Sequence, residues 1–81
     1  MKTEYQYITF KLASNPKHKT STFNIRGKAT GFALGQIKWH GPWRQYCFFP
    51  SAETVFNKGC LSDINHFIDQ LMDARKGNPG S

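Results

Sequence analysis

Acidic residues are scarce. Five Asp+Glu stand against eleven Lys+Arg in 81 residues, for a formal net charge of +6 and an isoelectric point of about 9.6. That excess calls for an acidic partner, with nucleic acid or an anionic protein surface ahead of a membrane. Cysteine is also scarce: Cys47 and Cys60 are too few for a disulfide framework. The first ten residues lack the unbroken apolar stretch of a signal peptide, so the expected setting is a reducing cytoplasm. No apolar run approaches the roughly 18–20 residues that cross a bilayer, and residues 47–49 are cut off by Pro50. Length itself is short. A domain of this size buries only about 60% of the surface its unfolded chain exposes, leaving little interior for a cofactor or an enclosed substrate. What is present is apolar and aromatic material, 38% and 15% of the chain, enough to form a core.

Charge is unevenly placed. Residues 1–50 carry eight Lys/Arg and one acid, whereas residues 51–81 carry three Lys/Arg and four acids. Within the basic part, apolar and polar residues alternate in short runs bounded by turn residues, the pattern of half-buried strands. Strands are predicted at residues 5–12, 21–26, 32–40 and 43–49. Ile8, Phe10 and Leu12 share one side of the first, with Tyr5, Tyr7, Thr9 and Lys11 on the other. Phe23 and Ile25 share a face of the second. In the third, Ile37 and Trp39 are out of phase with Phe32 and Leu34, which a bulge at Gly35 would reconcile. His40-Gly41-Pro42 makes a turn, so the last two strands form a hairpin.

Leu61, Ile64, Ile68 and Leu71, widened by Phe67 and Met72, form an apolar stripe at helical spacing. Asp63 is placed in the first turn of this helix and Arg75 and Lys76 in the last, with Gly77 and Pro79 as the stop. The fold expected is α+β: a small antiparallel sheet of about four strands, then one C-terminal helix packed on one face. Residues 1–77 form the domain and residues 78–81 a disordered tail. One helix covers one face, so the other must meet water, a partner or a second subunit.

Tyr5, Tyr7 and Lys11, Arg26, Lys38 and His40, and Arg44 and Tyr46 are the outward positions of the four strands. Rings interleaved with cations on an open sheet are the ingredients of a single-strand nucleic-acid platform, where rings stack on bases and cations follow phosphates. Lys17 and Lys19, in the loop after Pro16, add to the charge. The expected nucleic-acid-binding set is therefore Tyr5, Tyr7, Lys11, Lys17, Lys19, Arg26, Lys38, Arg44 and Tyr46. Trp39, His40, Trp43 and Arg44 flank the turn and form the alternative, a protein-binding tip rich in residues that dominate interfaces. Against that reading, the two indoles are expected to pack on each other across the hairpin. Homodimerisation through the open face is a third possibility.

The strings Leu34-Gly35-Gln36-Ile37-Lys38-Trp39 and Gly41-Pro42-Trp43-Arg44-Gln45-Tyr46-Cys47-Phe48-Phe49-Pro50, followed by Thr54-Val55-Phe56-Asn57 and Cys60-Leu61 with Asp63-Ile64, resemble a family of small, functionally uncharacterised proteins encoded by bacteriophages and prophages. The resemblance covers about residues 34–72. It implies a mobile-element origin, with a role in phage nucleic-acid metabolism, regulation or modulation of a host protein. It transfers no binding or catalytic residue.

Catalysis finds no support in the residue pattern. His18, His40 and His66 lack metal-ligand spacing, the glycines form no phosphate-binding loop, and Asp63, Asp69 and Asp73 read as a solvated helix face. Cys47 and Cys60 read as packing residues. The expectation is a non-enzyme without metal or cofactor.

Overall fold

A computed structural model describes residues 1–13 and 20–76. Strands β1 (Ile8–Ala13), β2 (Thr22–Gly27), β3 (Ala33–His40) and β4 (Gln45–Pro50) precede helix α1 (Lys58–Lys76), with a single 3-10 turn, Gly41–Trp43, between β3 and β4. The sheet is an antiparallel meander in the order β1-β2-β3-β4. The α+β architecture expected from the alternation and the stripe is thus the one adopted. Lys17, Lys19 and the tail at residues 78–81 lie outside the described residues.

The core is built on the face where Ile8, Phe10, Phe23, Ile25, Ile37 and Tyr46 point towards Ile64, Phe67 and Leu71 of α1. Phe67 is its centre. This side chain is wholly buried, its ring lies 4.0 Å from that of Phe10 at 6° between planes, and Phe23 meets it edge-on at 4.9 Å. Leu61 is instead 50% exposed. The buried stripe runs through Cys60, Ile64, Phe67 and Leu71, and Leu61 sits about 100° round the helix from Cys60, beyond the edge of the sheet contact. Leu12, expected on the core side, is also exposed, near the end of edge strand β1.

The bulge falls where the sequence placed it. Ile25 pairs with Gly35 and Arg26 with Ala33, so Leu34 is the extra residue that restores the phase of β3. Gly35 is buried at φ 156°, with the carbonyl oxygen of Phe49 only 2.6 Å from where a Cβ would stand.

The start of α1 differs from expectation. Asn57 is the cap: its Oδ1 accepts the backbone N–H of Cys60 at 2.8 Å, and its carbonyl accepts that of Leu61. The first turn therefore holds no acid, and Asp63 lies in the second. At the other end of the chain, the backbone N–H of Lys2 donates to Gln70 Oε1 at 2.7 Å while Gln70 Nε2 donates back to the Lys2 carbonyl at 2.9 Å. This pair ties the N-terminal segment to the helix.

Candidate nucleic-acid interface

Alternation fixes what the uncovered face carries. With Phe10, Ile25, Ile37 and Phe48 turned to the helix, their neighbours Thr9 and Lys11, Asn24 and Arg26, Gln36, Lys38 and His40, and Cys47 and Phe49 stand on the other side. None of the four strands contains an acid, but Glu4, bridged to Thr9 at the β1 edge, brings its carboxylate to this side, where it accepts from the Thr9 hydroxyl at 2.9 Å.

Three rings run along this face. His40 lies 5.9 Å from Phe49 and 4.8 Å from Trp43, both edge-on, and the Lys38 ammonium rests 4.6 Å over the Phe49 ring. Trp43 is 68% exposed at the end of the row. Arg44, also exposed, follows it and closes the 3-10 turn, its N–H donating to the Gly41 carbonyl. Lys11 and Arg26 lie exposed on the β1–β2 side, where Arg26 Nη1 donates to the Gly31 carbonyl at 3.0 Å and braces the turn before β3.

Two tyrosines leave the expected set. Tyr5 precedes β1, beyond a bend at Gln6 and Tyr7 that breaks the alternation, and is only 6% exposed. Its ring packs edge-on against Phe10, and its hydroxyl bonds His66 Nδ1 at 2.7 Å and accepts from Gln70 Nε2 at 3.1 Å. Burial, and secondarily the carboxylate of Asp63, push its pKa above the usual 10.0. Tyr46 is likewise buried, on the helix side of β4, edge-on to Trp39 at 5.4 Å, its hydroxyl accepting the Ser21 N–H. Neither ring can stack on a ligand at the open face. Tyr7 is exposed, but at the sheet end beside Lys28, whose N–H bonds the Tyr7 carbonyl.

The indoles do not pair with each other either. Trp39 packs on Tyr46 beneath the Arg75 guanidinium, 4.1 Å above its ring, whereas Trp43 turns to His40. The 3-10 turn occupies residues 41–43, so β4 starts at Gln45 and Trp43 is not a strand residue facing Trp39. The cysteines also stay apart. Cys47 stands on the open face opposite Lys38, and Cys60 packs against the core from α1.

Phe49 is the residue that the alternation missed. The run Tyr46-Cys47-Phe48-Phe49 is apolar at every position and carries no period of its own. Only the register, Ile37 with Phe48 and Gln36 with Phe49, assigns its faces.

Arg44 has φ 52° and ψ 47°, a left-handed conformation that costs a non-glycine residue roughly 1–2 kcal/mol. Arg44→Gly is therefore expected to stabilise the fold by up to about 1 kcal/mol, since glycine's greater unfolded-state entropy offsets part of the relief. In a domain of this size that raises Tm by roughly 4–8 °C. A thermal melt of the variant that falls below wild type would contradict the assignment of strain.

No helix among the described residues is long and apolar enough to cross a membrane, and no group of three or more His, Cys, Asp or Glu among them could hold a metal. No family model matches the chain, and no solved structure matches it. An uncharacterised 9.3 kDa protein of Acholeplasma phage L2 is 37% identical over 71 residues, 88% of this chain and 91% of the phage protein. A match of that length extends beyond residues 34–72 into the N-terminal strands. The chain thus belongs to the family of that small phage protein.

Proposed function

We propose that this protein binds single-stranded nucleic acid on the open face of its sheet, as a binding protein of phage or mobile-element type rather than an enzyme. The observation that carries the reading is the ring row Phe49, His40 and Trp43, set among Lys11, Arg26, Lys38 and Arg44, with the Glu4 carboxylate held away at the β1 edge by Thr9. Phe49 and Trp43 take the stacking roles that Tyr5 and Tyr46 cannot. The cations neutralise phosphates, with Lys17 and Lys19 adding charge nearby in sequence. A broad sheet suits a splayed single strand better than a duplex, whose bases are already stacked on one another.

Titration of a labelled single-stranded oligonucleotide at low ionic strength tests this. Trp43→Ala and Phe49→Ala should each weaken binding by about 1–3 kcal/mol, the usual worth of one base-aromatic stack. If four cations meet phosphates, log K should fall against log salt with a slope of about −3. Absence of binding to both DNA and RNA strands at low salt would overturn the proposal.

A second reading is favoured by one observation, the exposure of Trp43 beside Arg44 at the tip of the hairpin. There the protein would anchor on a host protein. That reading requires a complex that survives nuclease treatment and is lost with Trp43→Ala while Lys11→Ala leaves it intact.

A further inference from the structure

One cross-strand row of the open face differs in chemistry from its neighbours. Lys11 pairs with Asn24, Asn24 with Gln36, and Gln36 with Phe49, so a cation, two primary amides and a ring stand side by side across all four strands. Gln36 Nε2 donates to Asn24 Oδ1 at 2.9 Å. That single bond uses one of Gln36's two N–H groups and one acceptor site of Asn24. The joined amides still offer further donors and acceptors, held in a fixed relative orientation.

Asn24 is notable for its place. Asparagine is depleted in strands, yet here it occupies the middle of β2, an interior strand with neighbours on both sides. Val, Thr or Ile there would favour the sheet more. Both amides are half-buried, so their orientation is restrained before any ligand arrives.

We infer that this row reads base identity: a base that displaces the Lys38 ammonium and stacks on Phe49 presents its edge to the Gln36–Asn24 amide pair, while Lys11 receives an adjoining phosphate. The inference rests on the nucleic-acid reading above and sharpens it from a platform that accepts any base to one with a preference. The row is longer than one nucleotide, so the phosphate at Lys11 belongs to a neighbouring one. Adjacent strands lie about 4.8 Å apart, so the first amide is one strand from the ring and the cation three, roughly 14 Å. A primary amide offers a donor and an acceptor together, the pair of groups by which Asn and Gln recognise adenine edges.

The test uses the full chain and short homopolymers of deoxyadenosine, deoxycytidine and thymidine, titrated separately at low ionic strength. Wild type should bind its preferred homopolymer roughly fivefold or more tightly than the weakest, the lower end of what one paired amide contact provides. The double variant Asn24→Thr, Gln36→Thr keeps strand-forming residues at both positions, and a thermal melt verifies that it folds. It should bring the preferred homopolymer down to the affinity of the others. Phe49→Leu should weaken all three together.

Equal binding of the three homopolymers by wild type overturns the base-reading row and leaves the platform standing. So does a preference that survives the folded double variant. Binding of none of them overturns both. If the double variant fails to fold, Gln36→Thr alone carries the test, because Asn24 without its restraining partner should lose at least half of the preference on a logarithmic scale. A preference unchanged in that single variant overturns the row equally.

Discussion

Phe67→Ala should shift the urea unfolding midpoint far below that of wild type. Truncating a fully buried phenylalanine costs about 3–5 kcal/mol, and here the ring is stacked on Phe10 and met edge-on by Phe23, so its loss opens a cavity where the helix meets β1 and β2. A chain of 81 residues has a total stability of roughly 4–12 kcal/mol, so the substitution removes a large share of it. Phe67→Leu keeps most of the volume and should retain a cooperative transition at lower Tm. Far-UV circular dichroism through a urea titration separates the two. A Phe67→Ala transition with its midpoint close to wild type would mean that another residue centres the core.

Gly35→Ala should be nearly as damaging, for a different reason. The added methyl would stand 2.6 Å from the Phe49 carbonyl oxygen, 2.8 Å from the Phe48 ring and 3.0 Å from the Pro50 Cα, at a backbone φ of 156° that L-residues seldom adopt. Two of those three atoms belong to backbone and cannot swing aside. The expected loss is roughly 2–4 kcal/mol, and the strand that must yield is β4. Because β4 carries Phe49, the variant should also lose oligonucleotide affinity at temperatures where it is still folded. Gly31→Ala is the natural comparison: its φ is 72°, but nothing lies within 4 Å of the added methyl. Its loss should be about 1 kcal/mol, from conformation alone, with binding retained. Equal losses at the two glycines would show that the crowding at Gly35 relaxes freely.

Period was legible wherever one face of an element is apolar and the other polar. Phe23 and Ile25 alternate with Asn24 and Arg26, and β2 was readable in full. Ile64, Phe67 and Leu71 recur at helical spacing, and α1 was readable apart from its first turn, where the Asn57 cap precedes the apolar stripe. Gly35 announced its bulge because β3 changes phase around it. The misses have equally local causes. Tyr5 continues the alternation of β1 on paper, but the chain bends at Gln6 and Tyr7, and the ring drops beside His66. In β4 four consecutive apolar residues erase the signal, so Tyr46, expected outward, lies on the helix side and Phe49 takes the open face. Of the candidate site, the outward placement of Lys11, Arg26 and Lys38 and of the His40 ring was legible, whereas Trp43 was expected to pack on Trp39 and turns to His40 instead. The ring that joins them, and the amide pair beside it, needed the register.

The meander order has a consequence for how the chain is made. Every strand pairs with its neighbour in sequence, so each hairpin can close as soon as its second strand emerges from the ribosome. The helix that supplies Phe67 follows all four strands. Until it is synthesised, Ile8, Phe10, Ile25 and Ile37 line a bare apolar sheet that lacks its lid. The nascent protein therefore passes through an interval in which both faces are uncovered, one oily and one cationic. During that interval the oily face is open to chaperones and to other unfinished chains, and the vulnerability ends when α1 docks.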